Sequence, residues 1–364
     1  MRLPIDDTWP VQRLAERGGI SPGRRDSWFP VTHVLSGGQD ENPDLGGFGN
    51  PMSRQVKVSL GTWSTSFGMR RPAGLEQTLK VAAAFGFDGV ELAGFADHVM
   101  IERYADPAAR RGLATMLDDL GLEPVLLAPA PHGPIAGIPP WPLADDDEVV
   151  ALHEKWWSEF FRLAADLGIT RMRVDPGMRG PLPYGVDHRR VWDGVVGMFG
   201  QLAEQGAEIG CSVLWEVESG QPFNKPSEIV RLLDDIGHPN LGLLYDTGHF
   251  HAATVTGHNQ VQPEELLPGG QVELVRRLRD RIGHVHLCDT DGDVARNLFS
   301  RKIGFGKGIV DFEELLPVLA DCYQGEWWCV DVIPFTSEVW GDLWDGLAFV
   351  RDVVARHVRG ARRP

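Results

Sequence analysis

Four consecutive apolar runs in the second half of this 364-residue chain end in ionisable side chains. The first ends Val213-Leu-Trp-Glu-Val-Glu218, and the second ends Leu243-Leu-Tyr-Asp-Thr-Gly-His249. The third is His284-Val-His-Leu-Cys-Asp289, and the fourth is Trp327-Trp-Cys-Val-Asp331. Carboxylate, carboxylate, histidine and carboxylate therefore arrive in order at matching depths. A charged group at the end of an apolar strand costs roughly several kcal/mol to bury unless it is paired or bound to a metal. Singly, each has an ordinary explanation: Glu216 as a hydrogen-bonder to a loop or ribose, His286 as a satisfied core imidazole. Together they point to one divalent cation. Mixed oxygen and nitrogen ligation suits Mn²⁺, the first expectation, and also Co²⁺, Mg²⁺ or Zn²⁺. No cysteine falls at these positions, which argues against a thiolate centre.

The elements that must position these groups are legible from hydrophobic period. Apolar runs at 56–62, 89–93, 124–128, 171–175, 212–216, 241–246, 284–289 and 327–332 give eight candidate strands. Amphipathic stretches at 75–85, 108–120, 148–167, 190–209, 226–236 and 312–322 lie between them, and a last helix over about 342–358 follows the eighth strand. Repeated βα units require parallel strands and crossover helices. Glycine-centred turns precede nearly every strand, as in Gly86-Phe-Asp-Gly89 and Gly237-His-Pro-Asn240, whereas long loops follow strands three, six, seven and eight. That asymmetry predicts a (β/α)8 TIM barrel with its site at the strand C-termini. The rival doubly wound sheet lacks a GxGxxG after the first strand.

The domain expectation is an irregular N-terminal extension over 1–54, rich in Gly, Pro, Asp and Arg, and a barrel over 55–364. The net charge is −16, from 51 acidic and 35 basic residues, so phosphate backbones and anionic lipid are poor partners. Neither a signal-peptide run nor an apolar stretch of membrane-spanning length is visible. The four cysteines, Cys211, Cys288, Cys322 and Cys329, form no CxxC pair. They read as reduced core thiols, which places the chain in the cytoplasm.

The sequence resembles the xylose-isomerase-like barrel superfamily, the sugar phosphate isomerase/epimerase family that also holds ketose 3-epimerases, inosose dehydratases and endonuclease IV. The resemblance runs from about Val56 to Val358. It is carried by Gly86-Phe-Asp-Gly-Val-Glu-Leu92, Gly210-Cys-Ser-Val-Leu-Trp-Glu216, Asn240-Leu-Gly-Leu-Leu-Tyr-Asp-Thr-Gly-His249, His284-Val-His-Leu-Cys-Asp289 and Gly325-Glu-Trp-Trp-Cys-Val-Asp331. The resemblance implies metal ligands at Glu216, Asp246, His286 and Asp331, and a substrate oxygen bound by His249. Asp331 departs from the family's usual Glu, which often doubles as a base on substrate. Glu218 shares a strand face with Glu216 and is an alternative ligand or base. His132, just past strand three, and Arg296, in the loop after strand seven, join the expected substrate-binding set with Glu218 and His249. Arg296 and Lys302 could polarise a substrate oxyanion there, or stand in solvent.

The first functional expectation is isomerisation or epimerisation of a ketose or polyol through an enediolate, with Glu216 as ligand and base, Asp331 as its partner and His249 on substrate. The alternative is a metal-dependent lyase or dehydratase, similar to inosose dehydratases or to C-glycoside-cleaving barrel subunits. The Asp331 departure and the histidines His132, His249, His251 and His258 favour that alternative over plain epimerisation. Endonuclease IV-type cleavage needs three metals and a basic groove, which the charge opposes. A non-catalytic sugar-binding barrel is the remaining reading. The expected partner is a small sugar-like substrate, with a homo-oligomer or a partner subunit left open.

Overall fold

The structure is a computed structural model that describes residues 56–69, 71–129, 137–178, 180, 182, 185–294, 300–333 and 338–360. The chain divides into two units, Met1–Asn50 and Pro51–Pro364. Within the second, eight strands close into one parallel barrel: β1 (Lys57–Gly61), β2 (Gly89–Gly94), β3 (Glu123–Pro129), β4 (Arg171–Val174), β5 (Ser212–Glu216), β6 (Leu241–Asp246), β7 (Ile282–Leu287) and β10 (Trp327–Val330). A separate antiparallel hairpin, β8 (Asp289–Val294) and β9 (Ser300–Ile303), rises from the end of β7. The outer ring is α1 (Leu75–Phe85), α2 (Pro107–Leu120), α3 (Asp147–Leu167), α4 (His188–Glu208), α5 (Pro226–Ile236), α7 (Gly270–Arg277), α8 (Phe312–Cys322) and α9 (Val339–Gly360). A short helix, α6 (Thr247–His251), continues β6 directly. Among the described residues no helix is long and apolar enough to cross a membrane.

Local chemistry explains the ends of these elements. Asp106, Asp146, Asp187 and Asp311 each accept a backbone N–H in the first turn of the helix they cap. Gly86 (φ 89°) and Gly168 (φ 69°) take the left-handed conformation that ends α1 and α3 and turns the chain into the next strand.

Side chains two apart on a strand share a face. Leu126, Leu214, Leu244 and Trp327 form an inner cluster with Trp63 and Ala93. Two residues further along three of these strands stand Glu216, Asp246 and Cys329, and Asp331 follows Cys329. The inner face is thus apolar below and ionisable at its C-terminal mouth. The opposite face of the strands meets the helices in the larger core, where Phe160, Phe199, Trp215, Tyr245 and Trp328 are buried.

Two loop expectations are corrected. The segment after β6 was expected to be a loop, but it forms α6 and a π turn over Ala252–Thr256. The segment after strand seven forms the β8–β9 hairpin, so strand seven is Ile282–Leu287 and Asp289 belongs to the hairpin base. The physical reason lies in Asp289, whose buried carboxylate gathers the backbone N–H groups of Thr290, Gly306 and Gly308 at 2.9 Å each. A charged acceptor with three donors fixes a glycine-rich loop that propensity alone leaves undetermined. Gly308 makes that approach possible, since a Cβ there would lie 2.0 Å from Asp289 Oδ1 and 2.4 Å from the Thr290 carbonyl oxygen. We expect Gly308→Ala to destabilise the protein by about 1–3 kcal/mol through this overpacking. Chemical denaturation of wild type and variant measures it, and an unchanged midpoint would contradict the anchoring role of Asp289.

Candidate metal centre

Strand register brings the four rim groups together. Asp246 is the register partner of His286, and so is Cys329. The Asp331 N–H donates to the Leu287 carbonyl at 2.9 Å, so Asp331 continues the β10 edge against β7. Glu216, Asp246, His286 and Asp331 each offer a ligand atom, and these atoms lie within 4.8 Å of one another, all buried. His286 Nδ1 is 3.3 Å from Glu216 Oε1 and 3.3 Å from Asp331 Oδ2. It nevertheless makes no directed hydrogen bond. A buried imidazole nitrogen within 3.3 Å of two carboxylate oxygens places those three donor atoms where they could share one cation. The centre can therefore hold a divalent metal ion. Its three carboxylates and one imidazole match the hard-to-borderline donor set of Mn²⁺, Co²⁺, Mg²⁺ and Zn²⁺.

The surrounding groups fix each ligand. The carboxylate of Glu91, on β2, accepts from His286 Nε2 at 2.8 Å, His284 Nε2 at 2.7 Å and Ser59 Oγ at 2.7 Å. Burial alone would raise its pKa, but the two imidazoles outweigh burial and hold Glu91 below the usual carboxylate range. With Nε2–H committed to Glu91, His286 presents Nδ1 to the centre. Burial opposes charge on His286 as well. Here Glu91, Asp331 and Glu216 prevail and lift the imidazole well above its ordinary value.

Arg173, on β4, clamps the other side. Its Nε donates to Glu216 Oε2 at 2.7 Å, and its terminal nitrogens pair with Asp175 and Glu218. Against the cost of burial, Arg173 and His286 hold Glu216 below its ordinary range. Glu218 goes the other way: burial raises its pKa, and Asp175 and Glu216 add to that against Arg173. Gln221 Nε2 donates to Glu218 at 2.9 Å.

Asp331 is held at both oxygens. Trp63 Nε1 donates to Oδ1 at 2.9 Å, and the Lys302 ammonium lies 2.5 Å from Oδ2. Lys302 also reaches Asp246 Oδ2 at 2.9 Å. Burial would raise the Asp331 pKa, yet Lys302 and His286 keep it low. His249, the third residue of α6, donates its backbone N–H to Asp246 Oδ1 at 2.8 Å, and its Nδ1 lies 3.1 Å from Ser300 Oγ. Burial keeps its imidazole below the ordinary value, ahead of the nearby Asp246 charge.

The described part of the mouth thus holds Glu216, Asp246, His286, Asp331, Glu218 and His249. Glu218 stands in the Arg173 clamp rather than among the four converging ligand atoms. His132 and Arg296 lie outside the described residues. Lys302, which could have stood in solvent, is buried.

Comparison with known proteins follows this geometry. The family described as xylose isomerase-like TIM barrel matches residues 79–334. The chain belongs to that family. An inosose dehydratase of Geobacillus thermodenitrificans is 26% identical over 153 residues, covering 38% of this chain and 46% of that protein. The chain thus spans about half the length of such curated relatives. Among solved structures, an IOLI protein with a bound zinc atom superposes with a TM-score of 0.64 at 15% identity, over 83% of this chain and 99% of that one. A D-psicose 3-epimerase in the presence of D-fructose gives 0.63 at 18% identity, over 82% and 100%. At such identities the structural likeness establishes the fold.

Sequence reasoning missed two members of this xylose isomerase-like centre. Glu91 carried a signal, a carboxylate in the middle of the apolar run Gly89-Val-Glu-Leu92. Trp63 carried none, since its N–H reaches Asp331 across 268 residues. We expect Glu91→Gln to keep the fold and weaken Mn²⁺ or Zn²⁺ binding by about 10–100-fold, because a neutral amide orients His286 less firmly. His286→Ala should abolish binding. Calorimetric titration of chelator-treated protein tests both, and unchanged affinity in either variant would remove that residue from the centre.

Proposed function

We propose that the protein is a divalent-metal-dependent lyase that removes water from a polyhydroxylated cyclic or open-chain ketone. The observation that carries this reading is the tethering of Asp331. Epimerisation by two carboxylates needs a base on each face of the substrate. Asp331 is the carboxylate just past the end of β10, and its oxygens are engaged by Trp63 and Lys302. Its side chain is also one methylene short of glutamate, a retreat of about 1.5 Å where proton transfer needs heavy atoms within about 3 Å. Asp331 is therefore a ligand first.

Glu216, Asp246, His286 and Asp331 would hold the ion. When bound, it supplies Lewis acidity that polarises a ketone and makes the neighbouring C–H acidic. Glu216, held ionised by Arg173, takes that proton. The hydroxyl on the next carbon leaves with the proton that Glu216 took, so each turnover releases one water, forms one carbon–carbon double bond and returns Glu216 to its ionised state. His249 and Glu218 bind substrate hydroxyls on either side. The aromatic wall beside the mouth fits the C–H face of a sugar ring. In that wall Trp63 lies 5.5 Å from His286 and 6.5 Å from Phe95, ring centre to ring centre, and Phe67 sits edge-on to Phe95. The relatives named inosose dehydratase support this reading. Isomerisation or epimerisation of a ketose is the second reading, supported by the D-psicose 3-epimerase likeness.

Incubation with inososes and ketoses plus Mn²⁺ in D₂O, followed by NMR, separates the two. A new unsaturated product supports the lyase, whereas deuterium at carbon without net elimination supports the epimerase. Asp331→Asn should lower both metal affinity and turnover, the latter about 100-fold or more. Asp331→Glu should keep the metal and gain exchange of a carbon-bound proton. If Asp331→Asn binds metal normally and loses only proton exchange, Asp331 is the base and the epimerase reading replaces ours.

A further inference from the structure

We propose that Lys302 is a tethered ammonium that competes with the divalent ion for Asp246 and Asp331, and so sets how tightly this centre takes metal. The inference rests on the metal-dependent reading above. Its basis is the allotment of carboxylate oxygens. Asp246 Oδ1 already accepts from the His249 N–H at 2.8 Å and from Cys288 Sγ at 3.3 Å. Asp331 Oδ1 already accepts from Trp63 at 2.9 Å. Each carboxylate is left with Oδ2 for a cation, and both Oδ2 atoms face the same ammonium, at 2.9 and 2.5 Å. Asp331 Oδ2 is also the atom 3.3 Å from the orphaned His286 Nδ1. Lys302 therefore stands on the oxygens that an incoming ion needs.

The hairpin delivers this charge by strand alternation. Ser300 and Lys302 are buried on the face toward the mouth, while Arg301 between them is exposed and pairs with Asp291. Ser300 Oγ donates to the Gly248 carbonyl at 2.9 Å, docking β9 on α6. The base of the hairpin is anchored by Asp289. The Lys302 ammonium sits at the end of a four-carbon stem with rotatable bonds and carries one charge against the ion's two. An arriving ion has to take at least one Oδ2 from it. In the absence of the ion, Lys302 keeps two buried carboxylates paired, which otherwise repel each other and their neighbours.

The test is metal affinity of the full chain, stripped with chelator and titrated with Mn²⁺ and separately with Zn²⁺. Lys302→Gln and Lys302→Met should bind at least about tenfold tighter than wild type, on the scale at which groups around a ligand set move metal affinity. Their thermal midpoints should be lower without metal and rise more on its addition. Lys302→Arg, which keeps the charge, should bind no tighter than wild type. A merely structural role would not tighten metal binding on removal of the side chain. Equal or weaker binding by both neutral variants, with wild-type binding abolished by His286→Ala, overturns the competition and leaves the metal centre standing. No binding by wild type or any variant overturns both. Should the neutral variants be unfolded without metal, recovery of the fold on Mn²⁺ addition supports the proposal, and failure to recover overturns it.

Discussion

Concentrated negative charge at the barrel mouth is the constraint on which the rest of this structure depends. Glu216, Asp246, Asp331, Asp175, Glu218 and Glu91 are all buried within or beside one small volume. Water cannot screen them there, and unpaired buried carboxylates repel one another strongly. Every notable feature around them is an answer to that repulsion. Arg173 spreads one guanidinium over three carboxylates. Lys302 is carried in on a hairpin to bridge two more. Glu91 is met by two imidazoles and a hydroxyl. Among the buried atoms left without a directed hydrogen bond is His286 Nδ1, 3.3 Å from both Glu216 and Asp331. A divalent ion held there would meet the remaining negative charge.

The barrel is what allows such a concentration. Parallel strands in register put the ends of β5, β6, β7 and β10 at one level, and the period of two assigns alternate residues to the inner face. The same alternation continues past the barrel into β9, where Ser300 and Lys302 face inward. The strong apolar layer beneath, with Leu214, Leu244 and Trp327, supports the ionisable layer without diluting it. Stability and chemistry are therefore stacked along the same strands, a few residues apart.

What was legible in the sequence follows from this division. Hydrophobic period located all eight strands to within about two residues, because strands buried on both faces are near-continuous apolar runs. The four rim groups were legible because an ionisable residue at the end of such a run has no ordinary reason to be there. Glu91 obeyed the same rule, yet it lies at mid-strand, where it reads as part of a glycine turn motif. Trp63 was not legible, since its contact with Asp331 depends on a distance closed only by the barrel. The β8–β9 hairpin was hidden for a different reason. Its strands are polar and short, and backbone N–H groups gathered by Asp289 organise its base, a contact that carries no period.

The step from geometry to reaction turns on the length of one side chain. A glutamate at position 331 would extend its carboxylate past the ligand shell toward a substrate carbon. Aspartate stays back and is then met by Lys302 and Trp63, which share its oxygens. These contacts belong together, because the shorter carboxylate leaves room that a lysine head can enter, and the lysine in turn restrains the carboxylate. In the proposed reaction such a site keeps Glu216, held ionised by Arg173, as its base and gives up Asp331 as a second. In the reading proposed above, deprotonation by Glu216 alone disfavours inversion at that carbon, and leaves return of the proton to the same or the adjacent carbon, or loss of a neighbouring oxygen. Loss of the oxygen is the outcome the proposed dehydratase requires.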